Sequence, residues 1–229
     1  MFSFALALAV LIGLSLGLLG SGGSIITLPV LVYVAKVPAP QAVGMSLVIV
    51  GGTSALGTLL NLRQGAFDWR AAAFFSVSGM AGAFVGAKLT HLVSAPMLMF
   101  LFGALMLLVG IRLLRNGAVT AAAQECRPER CLAVGSAVGV LTGFLGVGGG
   151  FLILPALVLF AGLEMKAAIG TSLAIIAVNC IGGLVGQLRY ANFDWRLTLG
   201  FLLAAMAGMI AGAMLTKRLS AAVLRRGFA

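Results

Sequence analysis

The sequence predicts an all-α polytopic membrane protein of two homologous repeats, each opening on a broken Gly-rich helix, with the second repeat shortened by one helix. Three observations carry this. Apolar residues make up 62% of the chain and charged residues 9%, whereas soluble domains run nearer ~45–50% and ~25%. The 15 Lys and Arg and 5 Asp and Glu cannot build a water-facing shell for 229 residues. The apolar residues fall into blocks long enough to span a bilayer, and the chain matches itself at a fixed offset of 126 residues.

Seven blocks run approximately over 2–35, 42–62, 70–90, 94–111, 132–160, 166–188 and 196–216. A transmembrane helix needs about 20 apolar residues for a hydrocarbon core ~30 Å thick. Five blocks fit. The first, at ~1.5 Å per residue, would make ~51 Å of helix, too long for tilt to absorb. It carries its own interruption, Gly20-Ser21-Gly22-Gly23-Ser24 followed by Pro29. The other long block carries Gly146-Val147-Gly148-Gly149-Gly150 followed by Pro155. Gly weakens a helix and Pro removes a backbone donor, so both blocks should break. Irregular backbone at membrane depth is tolerated only against protein or a water-filled cavity.

The second block, 42–62, carries Thr53, Ser54 and Asn61. Phe67-Asp68-Trp69-Arg70 then precedes the third block. Asp suits an N-cap, Trp the membrane interface, and Arg the headgroups. The third block holds Gly82-x-x-x-Gly86, spaced for close helix packing. The fourth, 94–111, has no later counterpart. Residues 119–131 form a polar linker between halves spanning 1–118 and 132–229. Cys126 and Cys131 lie at its end without further metal ligands, and on a cytoplasmic face both should be free thiols. Cys180 sits in an apolar block.

The second half repeats the order. Gly20, Gly22, Gly23, Leu28 and Pro29 land on Gly146, Gly148, Gly149, Leu154 and Pro155; Phe67-Asp68-Trp69-Arg70 lands on Phe193-Asp194-Trp195-Arg196; Gly82 and Gly86 land on Gly208 and Gly212. Asn179 corresponds to Thr53, and Gln187 to Asn61, near the following loop. No basic n-region precedes Lys36, so the opening residues are expected to belong to the membrane domain rather than to a signal peptide.

Charge placement bounds topology and function. The net +10 lies between apolar blocks, as membrane topology produces, with no basic stripe or stacking platform for nucleic acid. If every block crosses once, cations divide eight to seven between the two sides; if each long block returns to its starting side, they divide eleven to four, with Lys36, Lys88, Arg189 and Arg196 in the minority. The second arrangement gives inverted repeats and suits the positive-inside tendency.

All five acids, Asp68, Glu125, Glu129, Glu164 and Asp194, fall at block ends or in loops. That argues against a carrier built on buried carboxylates and removes the acid pairs or metal clusters an intramembrane enzyme requires. No catalytic residue, metal ligand or cofactor is expected. What remains for binding is backbone and small polar groups. Half-helix N-termini favour anions, and Gly-rich turns allow close approach. The candidate site is therefore Gly20, Ser21, Gly22, Gly23, Ser24 and Thr27 in the first half, and Gly146, Gly148, Gly149, Gly150 and Asn179 in the second, with the two breaks meeting near the midplane. The structural alternative is that the Gly runs only permit a kink and close crossing, and that Asn179 hydrogen-bonds across a helix interface.

Together these motifs resemble the sulfite exporter TauE/SafE family, also called the four-toluene-sulfonate uptake permease family. The resemblance rests on the two Gly-rich runs, each followed by Leu-Pro, and on Gly170-Thr171-Ser172. It implies a multi-pass permease of the bacterial inner membrane, of seven or eight spans, moving sulfite, organosulfonates or other sulfur-containing or organic anions. The chain is short beside the family's usual length, which fits a missing eighth element. Without a nucleotide-binding Gly-x-x-x-x-Gly-Lys-Ser/Thr motif, a secondary permease is the leading reading. A passive anion channel and a non-transporting assembly subunit are the competing ones. The expected partners are a small anion and the lipid bilayer, and a homo-oligomer is compatible with the sequence.

Overall fold

The computed structural model describes residues 2–20, 22–62, 67–116, 128–145, 149–187 and 194–216. All regular structure among them is helical: α1 (Phe2–Leu19), α2 (Gly22–Pro29) continued by a π-helical turn (Val30–Val34), α3 (Ala39–Leu62), α4 (Trp69–Leu89) with a short 3-10 turn (Thr90–Leu92), α5 (Ala95–Asn116), α6 (Pro128–Leu145), α7 (Gly150–Phe160), α8 (Met165–Gln187) and α9 (Trp195–Thr216). Four of these described helices, α3, α4, α8 and α9, are long and apolar enough to cross a membrane. The protein is an all-α polytopic membrane protein.

The first long block is two helices. α1 stops where Gly20 takes a left-handed φ of 69°, a conformation that costs a glycine nothing. The chain doubles back, so that a methyl group at Gly23 would fall on Ile12 and Leu16 of α1. Pro29 has no N–H to donate, and the helix widens past it into the π turn, closed by the Ala35 amide on the Val30 carbonyl at 3.0 Å. The second long block gives α6 and α7, with Pro155 inside α7.

Both returning helices end in the same closure. The Val37 amide donates to the Leu31 carbonyl at 3.0 Å, and the Leu163 amide to the Leu157 carbonyl at 3.3 Å. In each case the amide reaches back six residues around a left-handed residue and closes the end of the helix, one residue further back than the Schellman bond. The left-handed residue is Lys36 (φ 56°) in one case and Gly162 (φ 65°) in the other. The helices that follow the duplicated Phe-Asp-Trp-Arg are capped alike: Asp68 accepts from the Ala71 amide at 2.8 Å, and Asp194 from the Leu197 amide at 3.1 Å. The N-cap expectation for both aspartates holds.

Glycines set the helix pairings, because each removes the Cβ that would separate two backbones. A methyl at Gly13 or Gly17 of α1 would fall on the backbone of Ala205 or Met209 of α9, and one at Gly139 or Gly143 of α6 on that of Gly79 or Ala83 of α4. Gly82, Gly86, Gly208 and Gly212 line the same two seams, as their spacing anticipates. α1 therefore runs parallel to α9, and α6 parallel to α4. Gly52 against Leu202 and Gly57 against Met209 make α3 parallel to α9; Gly79 against Asn179 and Gly186 against Phe84 make α4 parallel to α8. α3 and α8 cross antiparallel, with Leu47 on Gly183 and Leu173 on Gly57.

α1 and α3 thus point the same way, and so do α6 and α8. The segment between each pair has to return to its starting side. This is the arrangement for which the sequence divides the cations eleven to four.

The buried apolar residues form two groups. One joins Ile12, Leu16, Leu28, Leu31 and Met45 to Phe201, Ala205 and Met209 of α9. The other joins Ile153, Leu154, Leu157, Ile175 and Ile176 to Ala71 and Phe75 of α4. α9 therefore completes the core around α1 to α3, and α4 the core around α7 and α8. α5 reaches the first group through Leu98 and Phe102 and exposes Met97, Phe100, Leu107 and Ile111. Cys131 is disulfide-bonded, which corrects the expectation of a free thiol at that position; Cys126 lies outside the described residues. Cys180 is free and buried.

Candidate functional site

The first break is completed by the other half of the molecule. A methyl at Gly20 would meet Ile169 of α8, 2.9 Å from its Cγ2 and 3.1 Å from its Cα. One turn on, the Ser172 hydroxyl is 3.3 Å from the Gly20 carbonyl and 2.9 Å from that of Ile169, and donates to them. Thr171 beside it accepts from the Asp68 amide at 3.1 Å, tying α8 to the N-cap of α4. The break is therefore walled by the first turns of α8 and the start of α4.

Ser24 and Thr27 are fully buried. Thr27 donates its hydroxyl to the Gly23 carbonyl at 3.0 Å, which leaves its oxygen lone pairs available. The first-turn amides of α2 have no acceptor within their own helix. A small anion here would meet backbone donors, with no carboxylate on α2 itself.

The second break is built differently. Gly149 takes a left-handed φ of 74° as the N-cap of α7, its carbonyl accepting from the Leu152 and Ile153 amides at 3.0 Å each. Thr142 fills the space where a Cβ at Gly149 would sit. Gly150 opens α7 and is buried. Ser21, Gly146 and Gly148, also expected at the breaks, lie outside the described residues.

The two breaks stand at opposite ends of the bundle rather than meeting at mid-depth. Thr90, closing α4, donates to the Phe144 carbonyl near the end of α6 at 2.7 Å. Thr216, closing α9, donates to the Gly17 carbonyl near the end of α1 at 2.9 Å. α4 and α9 run antiparallel, so α1 and α6 turn at opposite ends. What meets between them is the pair of returning helices, α2 against α7.

Asn179 belongs to neither break. It lies seven residues beyond Ser172 on α8, ~10 Å of helix rise, packed on Gly79 of α4. Its Oδ1 is buried without a hydrogen-bond partner, as are Ser54 Oγ and both amide atoms of Gln187. The equivalent amide in the first half, Asn61, donates to the Gly57 carbonyl at 2.9 Å.

Sequence reasoning overlooked Thr171 and Ser172 as parts of the first break, and Gly79 altogether. Setting the halves side by side holds a signal for Gly79: the polar position enlarges from Thr53 to Asn179, while the small position shrinks from Ala205 to Gly79. No group of three or more metal-ligating side chains occurs among the described residues.

The family model described as sulfite exporter TauE/SafE matches residues 5–229. The protein named "Probable membrane transporter protein" of Xylella fastidiosa (strain 9a5c) is 38% identical over 221 residues, covering 92% of this chain and 83% of that one. "Probable membrane transporter protein YdhB" of Bacillus subtilis (strain 168) is 27% identical, with 94% and 90% covered. "Probable membrane transporter protein YunE" of the same organism is 25% identical, with 95% and 89% covered. No solved structure matches the chain.

Proposed function

This chain belongs to the sulfite exporter TauE/SafE family, and from that premise we propose that it is a secondary permease for a small anion, taken up at one Gly-rich break and released at the other. It is a multi-pass transporter of the bacterial inner membrane and not an enzyme. The substrate class we assign is sulfite, an organosulfonate or another small sulfur-containing or organic anion, in keeping with the family's description and with the first break's chemistry. The first-turn amides of α2 offer backbone donors to a negative charge. The Thr27 and Ser172 hydroxyls would first have to leave the carbonyls they donate to, and the nearby Asp68 carboxylate is engaged in capping α4.

The observation that carries the reading is the Ser172 hydroxyl on the Gly20 carbonyl. Gly20 and its closing residue come from opposite halves, so a movement of one half against the other would open or seal the break. That is the geometry alternating access needs.

The halves, 1–118 and 132–229 joined by the linker 119–131, act in this proposal as inverted repeats with broken first helices, the second lacking a counterpart of α5. The matched helix closures, the matched aspartate caps and the antiparallel crossing of α3 and α8 support it.

Uptake by purified protein in liposomes tests the reading. Sulfite, sulfate, thiosulfate and small sulfonates are compared with and without a proton gradient. We expect saturable flux for at least one of them. Flux that is absent for all, or that never saturates, overturns the assignment, the second outcome in favour of a channel.

A further inference from the structure

The centre of the bundle holds polar atoms that the two breaks do not use. α3 and α8 cross where Gly51 faces Cys180, with the Leu47–Gly183 and Gly57–Leu173 contacts on either side. Residues at the crossing stand at the middle of both helices, and so at mid-depth in the membrane. Ser54 lies on α3 between the 51 and 57 contacts; Asn179 adjoins Cys180 on α8. Ser54 is 0% exposed and Asn179 2% exposed, yet Ser54 Oγ and Asn179 Oδ1 have no hydrogen-bond partner.

An unpaired buried polar atom is destabilising, and apolar surroundings at mid-membrane offer no relief. The hydroxyls around them are treated otherwise. Thr53 donates to the Ile49 carbonyl at 2.6 Å and Thr58 to the Ser54 carbonyl at 2.8 Å. Self-satisfaction along the helix is thus open to hydroxyls in this stretch, and Ser54 does not take it.

Gly79 adds a second, independent mark. Asn179 Oδ1 and Nδ2 lie 2.5 and 2.7 Å from where a Cβ at Gly79 would stand. The opposing helix has given up a side chain in favour of a carboxamide that bonds to nothing on that side. Packing alone would be served by Ala against Thr, the combination at the equivalent positions 205 and 53.

We propose that Ser54 and Asn179 form a mid-depth binding station for a small, partly dehydrated oxyanion, between the two breaks. The Ser54 hydroxyl can rotate to donate, and the Asn179 carboxamide can present its NH₂ by turning about its last bond. Neutral donors suit a station that has to release what it binds. The inference rests on the permease reading, but its test does not depend on transport.

The probe is a thiol at the station. In protein with Cys126, Cys131 and Cys180 changed to Ala, Ser54→Cys is exposed to a small water-soluble methanethiosulfonate reagent in liposomes, with Gly103→Cys as a control outside the bundle. Gly103 has nothing within 4 Å of its added Cβ, so that side chain faces outward from a lipid-embedded helix. We expect Ser54→Cys to react about tenfold faster than Gly103→Cys, because a thiolate forms only where water reaches. Methanesulfonate near its saturating concentration should slow the reaction severalfold, and Asn179→Asp, isosteric but negative, should abolish that slowing. Where Asn179→Asp yields too little protein, Asn179→Thr serves, since a hydroxyl there can bond along its own helix as Thr53 does.

Reaction of Ser54→Cys no faster than the control overturns the station, as does reaction unaffected by methanesulfonate, which would mark a water pocket only. Protection that survives both Asn179 variants removes Asn179 from it and overturns the paired assignment. Wild-type protein without uptake, but with protected Ser54→Cys, would refute the permease reading and leave the station standing.

Discussion

Thr53 and Asn179 stand 126 residues apart, on helices that cross at the centre of the molecule, and they behave in opposite ways. Thr53 is buried and bonded to the turn before it; Asn179 is buried with its carboxamide oxygen unpaired. Around them the returning helices end alike on a left-handed residue, whereas the breaks that precede them are built differently. The comparison teaches that positions matched by the 126-residue offset can share a cap or a closure and still differ in their polar groups. A scaffold group is one whose counterpart makes the same bond. A group whose counterpart does something else is where function is to be sought.

The largest effects should fall on the shared scaffold. Leu at Gly139 or Gly86 has to push apart backbones already in contact, at about 3 kcal/mol, and should lower the melting temperature in detergent by about 10 °C. Gly103→Leu should leave it unchanged. Equal behaviour of the three variants, read by fluorescence-detected size exclusion after heating, would mean the seams do not hold the fold.

Next comes the divergent pair. Gly79→Ala alone should cost about 2 kcal/mol, because the methyl meets the Asn179 carboxamide. Adding Asn179→Thr should recover most of this by installing the other half's combination, with a coupling energy above about 1 kcal/mol in a double-mutant cycle. Simple additivity would show that the two positions are not matched. The recovered double variant should still transport about tenfold more slowly, a loss of roughly 1.4 kcal/mol in the transition state.

Ser172→Ala probes the contact between halves. It removes the hydroxyl from the Gly20 and Ile169 carbonyls, worth about 1 kcal/mol. Half-saturating substrate should rise severalfold in liposome uptake, while Ser46→Ala measures whether the opposite end responds alike. The smallest effect concerns Lys36. A left-handed non-glycine residue is strained by about 1 kcal/mol, and the other half places Gly162 there. Lys36→Gly should stabilise the protein by about 0.5 kcal/mol after the added freedom of the unfolded chain is counted. A fall in melting temperature would argue that the lysine makes a contact worth more than its strain.

Much of the local structure was legible in the residues. Gly20 and Gly149 mark real helix ends because successive glycines and a following proline leave no continuous helix. Asp68 and Asp194 cap because the residue before an apolar run is the one that can reach the first free amides. Gly82-x-x-x-Gly86 marks a seam because only a missing Cβ lets two helices touch. Which seam pairs with which was not legible. Gly13 and Gly17 also recur as Gly139 and Gly143, but spacing along one helix does not name the partner. Nor did spacing reveal that α1 joins α9 rather than its own third helix, or that the breaks lie at opposite ends. Those facts depend on the antiparallel crossing of α3 and α8, a long-range contact. Ser54 passed as one more small residue, because an unpaired hydroxyl is defined by what surrounds it.

The pairing of α1 with α9 and of α4 with α6 has a consequence for biosynthesis. Gly79 and Gly139 leave the ribosome only about 60 residues apart, so α4 and α6 can pair early. Gly13 waits for Ala205, roughly 190 residues later, which at ~5–20 residues per second is ~10–40 s of synthesis. Through that interval the notched face of α1 lies open in the bilayer to any helix that drifts past. A chain stopped before residue 195 should therefore carry a finished core around α4 and an orphaned first helix, the form a membrane quality-control protease would meet first.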